Sequence, residues 1–589
     1  MSRQQGTAEQ GPIPSDYVKR CERTPSSAYE SFGTQENGIY TVKQQPLGTQ
    51  RPLKVIMLGG GASGINMAYK MRKFLPLVQF YVYEKNPELS GTWYENRYPG
   101  CACDIPSHTY QFAWHPNPNW SAYYVGQKEI KEYFLSAVRE NDLEKYFNVN
   151  HRVIRAVWEE ETSKWYLTLR KNDDPSTDFE DWCDFFINGS GILNAYKWPD
   201  IKGINNFKGV KVHSANWPES LDLSGKRVGL VGVGSTATQL IPALQPIVKN
   251  MTAFCRSKTW ITPPIGAKYA GPNGSNINFS DEQQKKFMQD KDEYNQFRKN
   301  IEFELNSRFK FLYKDSPEQK TVFEFFTKWM SEQLKDRPDL QKALIPDFAV
   351  GCRRLTPGGG FLPALQQENV SLITDPIDYI TENAVITKDG TVHEIDALVC
   401  ATGFDMSFKP RFELRGRNNA DIREQWTPRP SAYISSFAHN FPNYAFIMGP
   451  GAPLAQGSMI PSTERISEYI IQVVFRLATE PILSIEVSEE AEAELWKHYQ
   501  EQIKQMVWTS HCSSSFKNGD INAPIDVLHP GSRMHYFAVL ERPRWEDFKY
   551  KYSNNRFAHL GNGTTLRENQ PGRDLVYYLL DDVLKLQEY

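Results

Sequence analysis

Two glycine loops constrain the fold of this chain more than any other feature. The first, Gly59-Gly60-Gly61-Ala62-Ser63-Gly64, follows the apolar run Val55-Ile56-Met57-Leu58 and opens a helical pattern. The second, Gly232-Val233-Gly234-Ser235-Thr236-Ala237, repeats that grammar in the G-x-G-x-x-A form. Strand, tight turn and helix in this order begin a Rossmann unit. The first glycine permits the turn, the second lets a pyrophosphate reach the backbone, and the third lets helix and strand pack closely. The loops stand about 170 residues apart, too far for one unit. The sequence therefore predicts an α/β fold with two Rossmann-like dinucleotide-binding domains.

The residues that end each second strand divide the labour between the loops. In the first unit Phe80-Tyr81-Val82-Tyr83 runs into Glu84, where a carboxylate can accept a ribose hydroxyl. In the second, Met251-Thr252-Ala253-Phe254-Cys255 runs into Arg256-Ser257-Lys258. A ribose 2′-phosphate is repelled by a carboxylate and welcomed by a guanidinium with a neighbouring ammonium. This opposition of charge assigns FAD to the first loop and NADPH to the second.

The domain reading follows. Residues 1–52 form an N-terminal arm, and 53–205 the first part of the FAD-binding domain. Residues 206–390 form the NADPH-binding domain, with a helical insertion at about 275–345. Residues 391–589 hold the second part of the FAD-binding domain and the C-terminal region. Inside the insertion, Ser280 and Gln283 fit a capping box. Two stripes at helical spacing follow: Phe287, Tyr294, Phe297, Ile301 and Leu305, then Val322, Phe325, Phe326 and Trp329. Both read as packing faces. The run Asp396-Ala397-Leu398-Val399-Cys400 enters an Ala401-Thr402-Gly403 turn where backbone can approach a dinucleotide.

A net charge of −3 with 23% charged residues argues against a nucleic-acid partner. The absence of an apolar leader and of any run of ~18 apolar residues points to a cytoplasmic protein without membrane association. Eight scattered cysteines with no C-x-x-C pair read as free thiols in a reducing compartment, and no metal site is indicated. The oligomeric state is left open, with a monomer favoured.

One stretch resists explanation from its own chemistry: Phe207, Gly209, His213, Trp217 and Pro218 recur at regular offsets in "FKGVKVHSANWP". Together with "GTWYENRYPGCACD" from Gly91 to Asp104, it resembles the Baeyer–Villiger monooxygenases, class B flavoproteins, and in overall look their fungal secondary-metabolism members. The resemblance covers nearly the whole chain from about Lys54. Ser90 stands where the family has a small Ala or Gly.

The resemblance implies roles residue by residue. Beside the loop glycines Gly59, Gly61 and Gly64, it places Glu84, Thr92, Trp93, Tyr94, Glu95, Asp104 and Tyr110 at FAD. It places Ala102, Cys103, Asp104 and the stretch Gly232, Val233, Gly234, Ser235, Thr236, Ala237, Thr238 and Gln239 at NADPH, with Arg256, Ser257 and Arg353. In "GCRRLTPGGGFL", Arg354 is implied as the cation that stabilises anionic intermediates, oriented by Asp104. His213 and Trp217 are implied to set domain geometry rather than to react.

The implied reaction passes a hydride from NADPH to FAD, takes up O2, and inserts one oxygen atom beside a ketone carbonyl to give an ester or lactone. A bulky polycyclic, polyketide or terpenoid ketone is the expected substrate. In "HCSSSFKNG" the family's Trp position holds Ser515 and its Tyr position Phe516, which bears on how the site closes over NADP. An N- or S-oxygenating flavoprotein, or a nucleotide-binding scaffold without activity, shares both loops and stays open at this point. A flavin disulfide reductase is disfavoured, because Cys101-x-Cys103 lacks its cysteine spacing.

Overall fold

The computed structural model describes residues 34–36, 39–174, 176 and 178–579. Residues 1–33 of the expected arm lie outside the described residues.

Two five-stranded parallel sheets form the frame. In the first, Lys54–Leu58 is central, with Gln79–Tyr83 on one side and Phe185–Asn188 on the other. Phe147–Asn148 and Tyr444–Phe446 lie at its edges. Val55, Ile56 and Met57 are all buried, which explains the unbroken apolar run: a parallel strand covered on both faces has no polar side to show. The helix Ala62–Phe74 covers one face and packs on Met459–Thr479, where Asn66 donates to the Ser467 hydroxyl at 2.8 Å. Lys70 pairs with Glu468 at 2.6 Å along the same seam.

The second sheet runs Val210–His213, Ala397–Cys400, Arg227–Val231, Asn250–Phe254 and Val370–Ile373. Ala397–Cys400 pairs with both Val210–His213 and Arg227–Val231, so this sheet runs past residue 390, where the sequence alone set the domain boundary. The reason is a long-range pairing that no local pattern encodes. An antiparallel ribbon of His151–Glu159, Lys164–Lys171 and Asp178–Cys183 is flanked by Glu413–Arg415.

The helical insertion holds Asp281–Gln289, Lys291–Asn306, Pro317–Gln333 and Pro338–Leu344. Ser280 caps the first of these by accepting from Gln283 N–H. Phe287, Tyr294, Ile301 and Leu305 are buried as their spacing predicts. The second stripe needs correction. Val322, Phe326 and Trp329 pack on the core of the second sheet together with Phe323, whereas Phe325 faces solvent at 54% exposure. Phe323 and Phe325 are two positions apart, so a helix turns them to different faces.

One cysteine expectation also changes. Cys352 and Cys512 form a disulfide across 160 residues of chain, while Cys101, Cys103, Cys183, Cys255 and Cys400 are free. Spacing could not reveal this pair, because the two segments meet only when Gly351 packs against Val507 and Leu312. Among the described residues no helix is long and apolar enough to cross a membrane.

Candidate functional site

The two glycine loops are built alike down to their backbone partners. Gly59 and Gly232 both take positive φ, +104° and +99°. A Cβ at Gly59 would sit 2.5 Å from the Gly189 carbonyl oxygen, and one at Gly232 would sit 2.7 Å from that of Ala401. Gly189 and Ala401 each follow the neighbouring parallel strand of their sheet. The Ala401-Thr402-Gly403 turn is therefore the second unit's counterpart of the 189–191 turn. At Gly64 a Cβ would lie 2.1 Å from the Gly59 carbonyl oxygen, so helix and strand touch there.

The middle glycines are the open ones. A Cβ at Gly234 would meet nothing within 4 Å, and one at Gly61 would only touch Gly91 Cα at 3.4 Å. The helices Ala62–Phe74 and Ser235–Leu244 begin there with no side-chain cap and no acidic residue in the first turn. Their free N–H groups and positive dipole ends suit a phosphate. Each cradle thus fits a dinucleotide.

Glu84 is buried, and its two carboxylate oxygens accept from Gly60 N–H and Asn86 N–H, each at 2.7 Å. Burial raises its pKa, against the pull of these bonds. Glu95 pairs with Lys85 at 2.7 Å and accepts from Asn86, so it braces the Glu84 turn. Thr92 and Tyr94 share the short helix Thr92–Glu95, which starts where Gly91 meets Gly61. Trp93 Nε1 donates to the Tyr110 hydroxyl at 3.1 Å, and the two rings meet edge-on. Burial pushes the Tyr110 phenol well above its ordinary value.

The two nucleotide units meet at Gln239. Its side chain accepts from Tyr98 OH at 2.8 Å and donates to the Ala102 carbonyl oxygen at 3.0 Å. Thr238 caps back onto Ser235 O at 2.8 Å, while Val233 and Ala237 are buried against the second core. Tyr98 escaped the sequence reading. Its position, three residues before Cys101 in "NRYPGC", was the available signal.

Just beyond Ala102, Asp104 Oδ2 accepts from Arg354 Nη2 at 2.7 Å, joining residues 250 apart in the chain. The Asp104 charge, aided by the hydrogen bond, holds the guanidinium pKa above its ordinary value. Arg354 remains 48% exposed, available to a ligand. Cys103 lies beside this pair with its thiol pushed up by burial. Arg353 turns away and donates to the Lys258 carbonyl oxygen at 2.7 Å, which seats it beside Arg256. Arg256 is exposed and Ser257 half-buried. The structure thus gathers Trp93, Tyr110, Cys103, Asp104 and Arg354 in one place, and Arg256, Ser257 and Arg353 in another.

His213 does not face this place. Its Nδ1 accepts from Ala215 N–H at 3.2 Å, its Nε2 lies 3.3 Å from the Thr402 hydroxyl, and its ring stacks on Tyr196. Gly209 is pinned against the Asp396 carbonyl oxygen and the Phe207 ring, and Trp217 is buried in the second core. The whole stretch clasps Ala397–Cys400 from its first residue to the turn behind its last. Ser515 is exposed at the start of a short turn whose next residue, Phe516, is buried.

Comparison with known proteins shows the family. Residues 57–125 match the NAD(P)-binding Rossmann-like domain, and 103–325 the flavin-binding monooxygenase-like family. The FAD-binding monooxygenase tazF of Aspergillus terreus is 36% identical over 538 residues, covering 90% of this chain and 95% of that protein. A Baeyer-Villiger monooxygenase of Pseudomonas aeruginosa is 28% identical over 513 residues, covering 87% and 94%. The crystal structure of cyclohexanone monooxygenase from Rhodococcus sp. Phi1 bound to NADP+ has a TM-score of 0.73 at 27% identity, covering 86% of this chain and 100% of that one. With a relative at 36% identity over nearly its whole length, this chain belongs to the FAD-binding monooxygenases of the flavin-binding monooxygenase-like family.

Proposed function

We propose that this chain is an NADPH-consuming Baeyer–Villiger monooxygenase, which inserts one oxygen atom from O2 beside a ketone carbonyl to give an ester or lactone. The observation that carries this reading is the Arg354–Asp104 contact at 2.7 Å beside Cys103 and Tyr110, on the segment that Gln239 ties to the second nucleotide helix. FAD, bound by the first loop, supplies the redox chemistry between NADPH and O2.

The chain's own residues do the rest. Arg354 supplies a fixed positive charge for the carbonyl oxygen as it becomes anionic, and Asp104 keeps that charge aimed and protonated. A preorganised donor of this kind contributes about 10²–10³ in rate. Trp93 and Tyr110, bonded to each other, wall the place with rings and help keep water out. Arg256, with Arg353 behind it, supplies the positive field that selects a 2′-phosphate. The NADP+-bound relative supports that cofactor choice. The substrate class we propose is a bulky polycyclic, polyketide or terpenoid ketone.

The test is to incubate the purified holoenzyme with NADPH and ketones graded by size. The expected product is one oxygen atom heavier than its ketone and hydrolyses as an ester. Sulfoxide or N-oxide formation from heteroatom substrates, with no ester from any ketone, would overturn the reading.

A further inference from the structure

Arg354 sits on a segment with little regular structure of its own. It lies between the helix Pro338–Leu344 and the two-residue strand Thr356–Pro357. Gly351 turns the chain there at φ +90°, hard against Leu312 and Val507. Gln319 holds Val350 by its N–H and its carbonyl, at 3.0 and 2.9 Å. Two residues before Arg354, Cys352 is bonded to Cys512, the one disulfide among the described residues.

The far end of that bond is a rigid body of unusual construction. Lys517 is 3% exposed, and its ammonium donates to the carbonyl oxygens of Ser510, Cys512 and Ile521 at 2.7, 3.3 and 3.0 Å. One buried cation thus gathers the whole 510–521 turn around itself. Phe516 is buried beside it, and Phe516 and Val507 belong to the core that fills the first nucleotide unit. Cys352 and Cys512 are 0% and 2% exposed. The disulfide therefore ties a segment that lacks a ladder or a helix to a body packed on the first unit.

We propose that Cys352 and Cys512 are positioning residues for Arg354, and that their disulfide is a redox-controlled brace on the cationic site. This rests on the role given to Arg354 above. When a dithiol reductant opens it, one thiolate attacks a sulfur of the pair to form a mixed disulfide, and the second thiolate displaces the remaining sulfur. Two electrons and two protons pass to Cys352 and Cys512, and the reductant leaves as its own disulfide. Oxidised glutathione runs the exchange backwards, leaving as two reduced molecules. With the brace open, Arg354 stays on the chain but samples positions away from Asp104, and oxygen insertion loses its aligned charge. Because both sulfurs are buried, reduction requires the 510–521 turn to lift first, so the brace holds in the packed state.

The experiment uses the FAD-loaded full chain, isolated without reductant. Non-reducing peptide mass analysis should recover 352 and 512 as one crosslinked species. Dithiothreitol should convert it to two alkylatable thiols and raise amide hydrogen exchange across 351–357 about fivefold or more, a typical coupling magnitude. Ester formed per NADPH consumed should fall in parallel and return with oxidised glutathione. Cys512→Ser, which leaves the Arg354 segment unaltered, should show the raised exchange without dithiothreitol and no further response to it. If that variant fails to fold, the wild-type pair of redox states answers the question alone. Recovery of 352 and 512 as free thiols, or unchanged exchange across 351–357 after cleavage, would overturn the brace. Raised exchange in an enzyme that makes no ester in either redox state would uphold the brace and defeat the Baeyer–Villiger reading instead.

Discussion

Gln239 accepts from the Tyr98 hydroxyl and donates to the Ala102 carbonyl oxygen, so one side chain of the second nucleotide unit holds both flanks of Cys101 in the first. Two residues after Ala102 stands Asp104. Gln239→Ala removes both bonds and takes from the half-buried Tyr98 hydroxyl the acceptor it has here. A net hydrogen bond is worth about 0.5–1.5 kcal/mol, so the pair should cost about 1–3 kcal/mol, roughly 5- to 150-fold in kcat/KM for NADPH. Steady-state kinetics with FAD content held constant would check this, and an unchanged kcat/KM would remove Gln239 from the link.

Arg256, which the proposed function puts at the ribose 2′-phosphate, is exposed and has Arg353 beside it. NADPH should be preferred over NADH, and Arg256→Ala should lose most of that preference while keeping FAD. A charge-assisted contact of about 1.5–3 kcal/mol corresponds to roughly 10- to 150-fold. The ratio of kcat/KM for the two nicotinamides measures it directly.

Ser515 is exposed beside the buried Phe516, at the position for which the resemblance in sequence implies an indole. Without that ring over the nicotinamide end, the holoenzyme should release measurable hydrogen peroxide when NADPH is supplied and ketone is not. Ser515→Trp should lower the peroxide formed per NADPH oxidised. A fluorometric peroxide assay separates this from a tightly coupled wild type, which would contradict it.

His213 offers a pH test of its structural role. Burial pulls its pKa from an ordinary 6.5 down to about 4, and its Nδ1 must stay unprotonated to accept from Ala215. The unfolded chain binds this proton first as pH falls, so the stability contributed by His213 is present above about pH 6.5. It should be lost as pH drops from there to about 4, on the order of 3 kcal/mol in all. His213→Asn keeps a side-chain acceptor for the cap but cannot titrate. Denaturant titrations of both holoenzymes at about pH 7.5 and 4.5 should show a smaller acid loss in the variant.

Much of this architecture was legible because local rules carry it. The apolar runs before Gly59 and Gly232 demanded strands buried on both faces, and the glycines demanded the turns. The opposition of Glu84 to Arg256 followed from charge alone. What lay hidden depends on distant pairing. Nothing local to Ala397–Cys400 says that it inserts between Val210–His213 and Arg227–Val231. Nor does spacing announce the Cys352–Cys512 bond or the reach of Gln239 to Tyr98. Arg354 reads by itself as a solvated basic turn. Only its partner Asp104, 250 residues away, makes it a directed charge.

The measurement that bears most directly on the central claim is product analysis of Arg354→Ala with a ketone that the wild type converts. On the proposed reading FAD is held by the first glycine loop and its Glu84 turn, away from Arg354, so the variant should keep its yellow colour and still oxidise NADPH. Ester formation should fall by at least about 10²–10³, the cost of one lost preorganised donor, and by more if the full charge counts. Ester made at a rate near that of the wild type would contradict the role of Arg354, and with it the Baeyer–Villiger reading of the site.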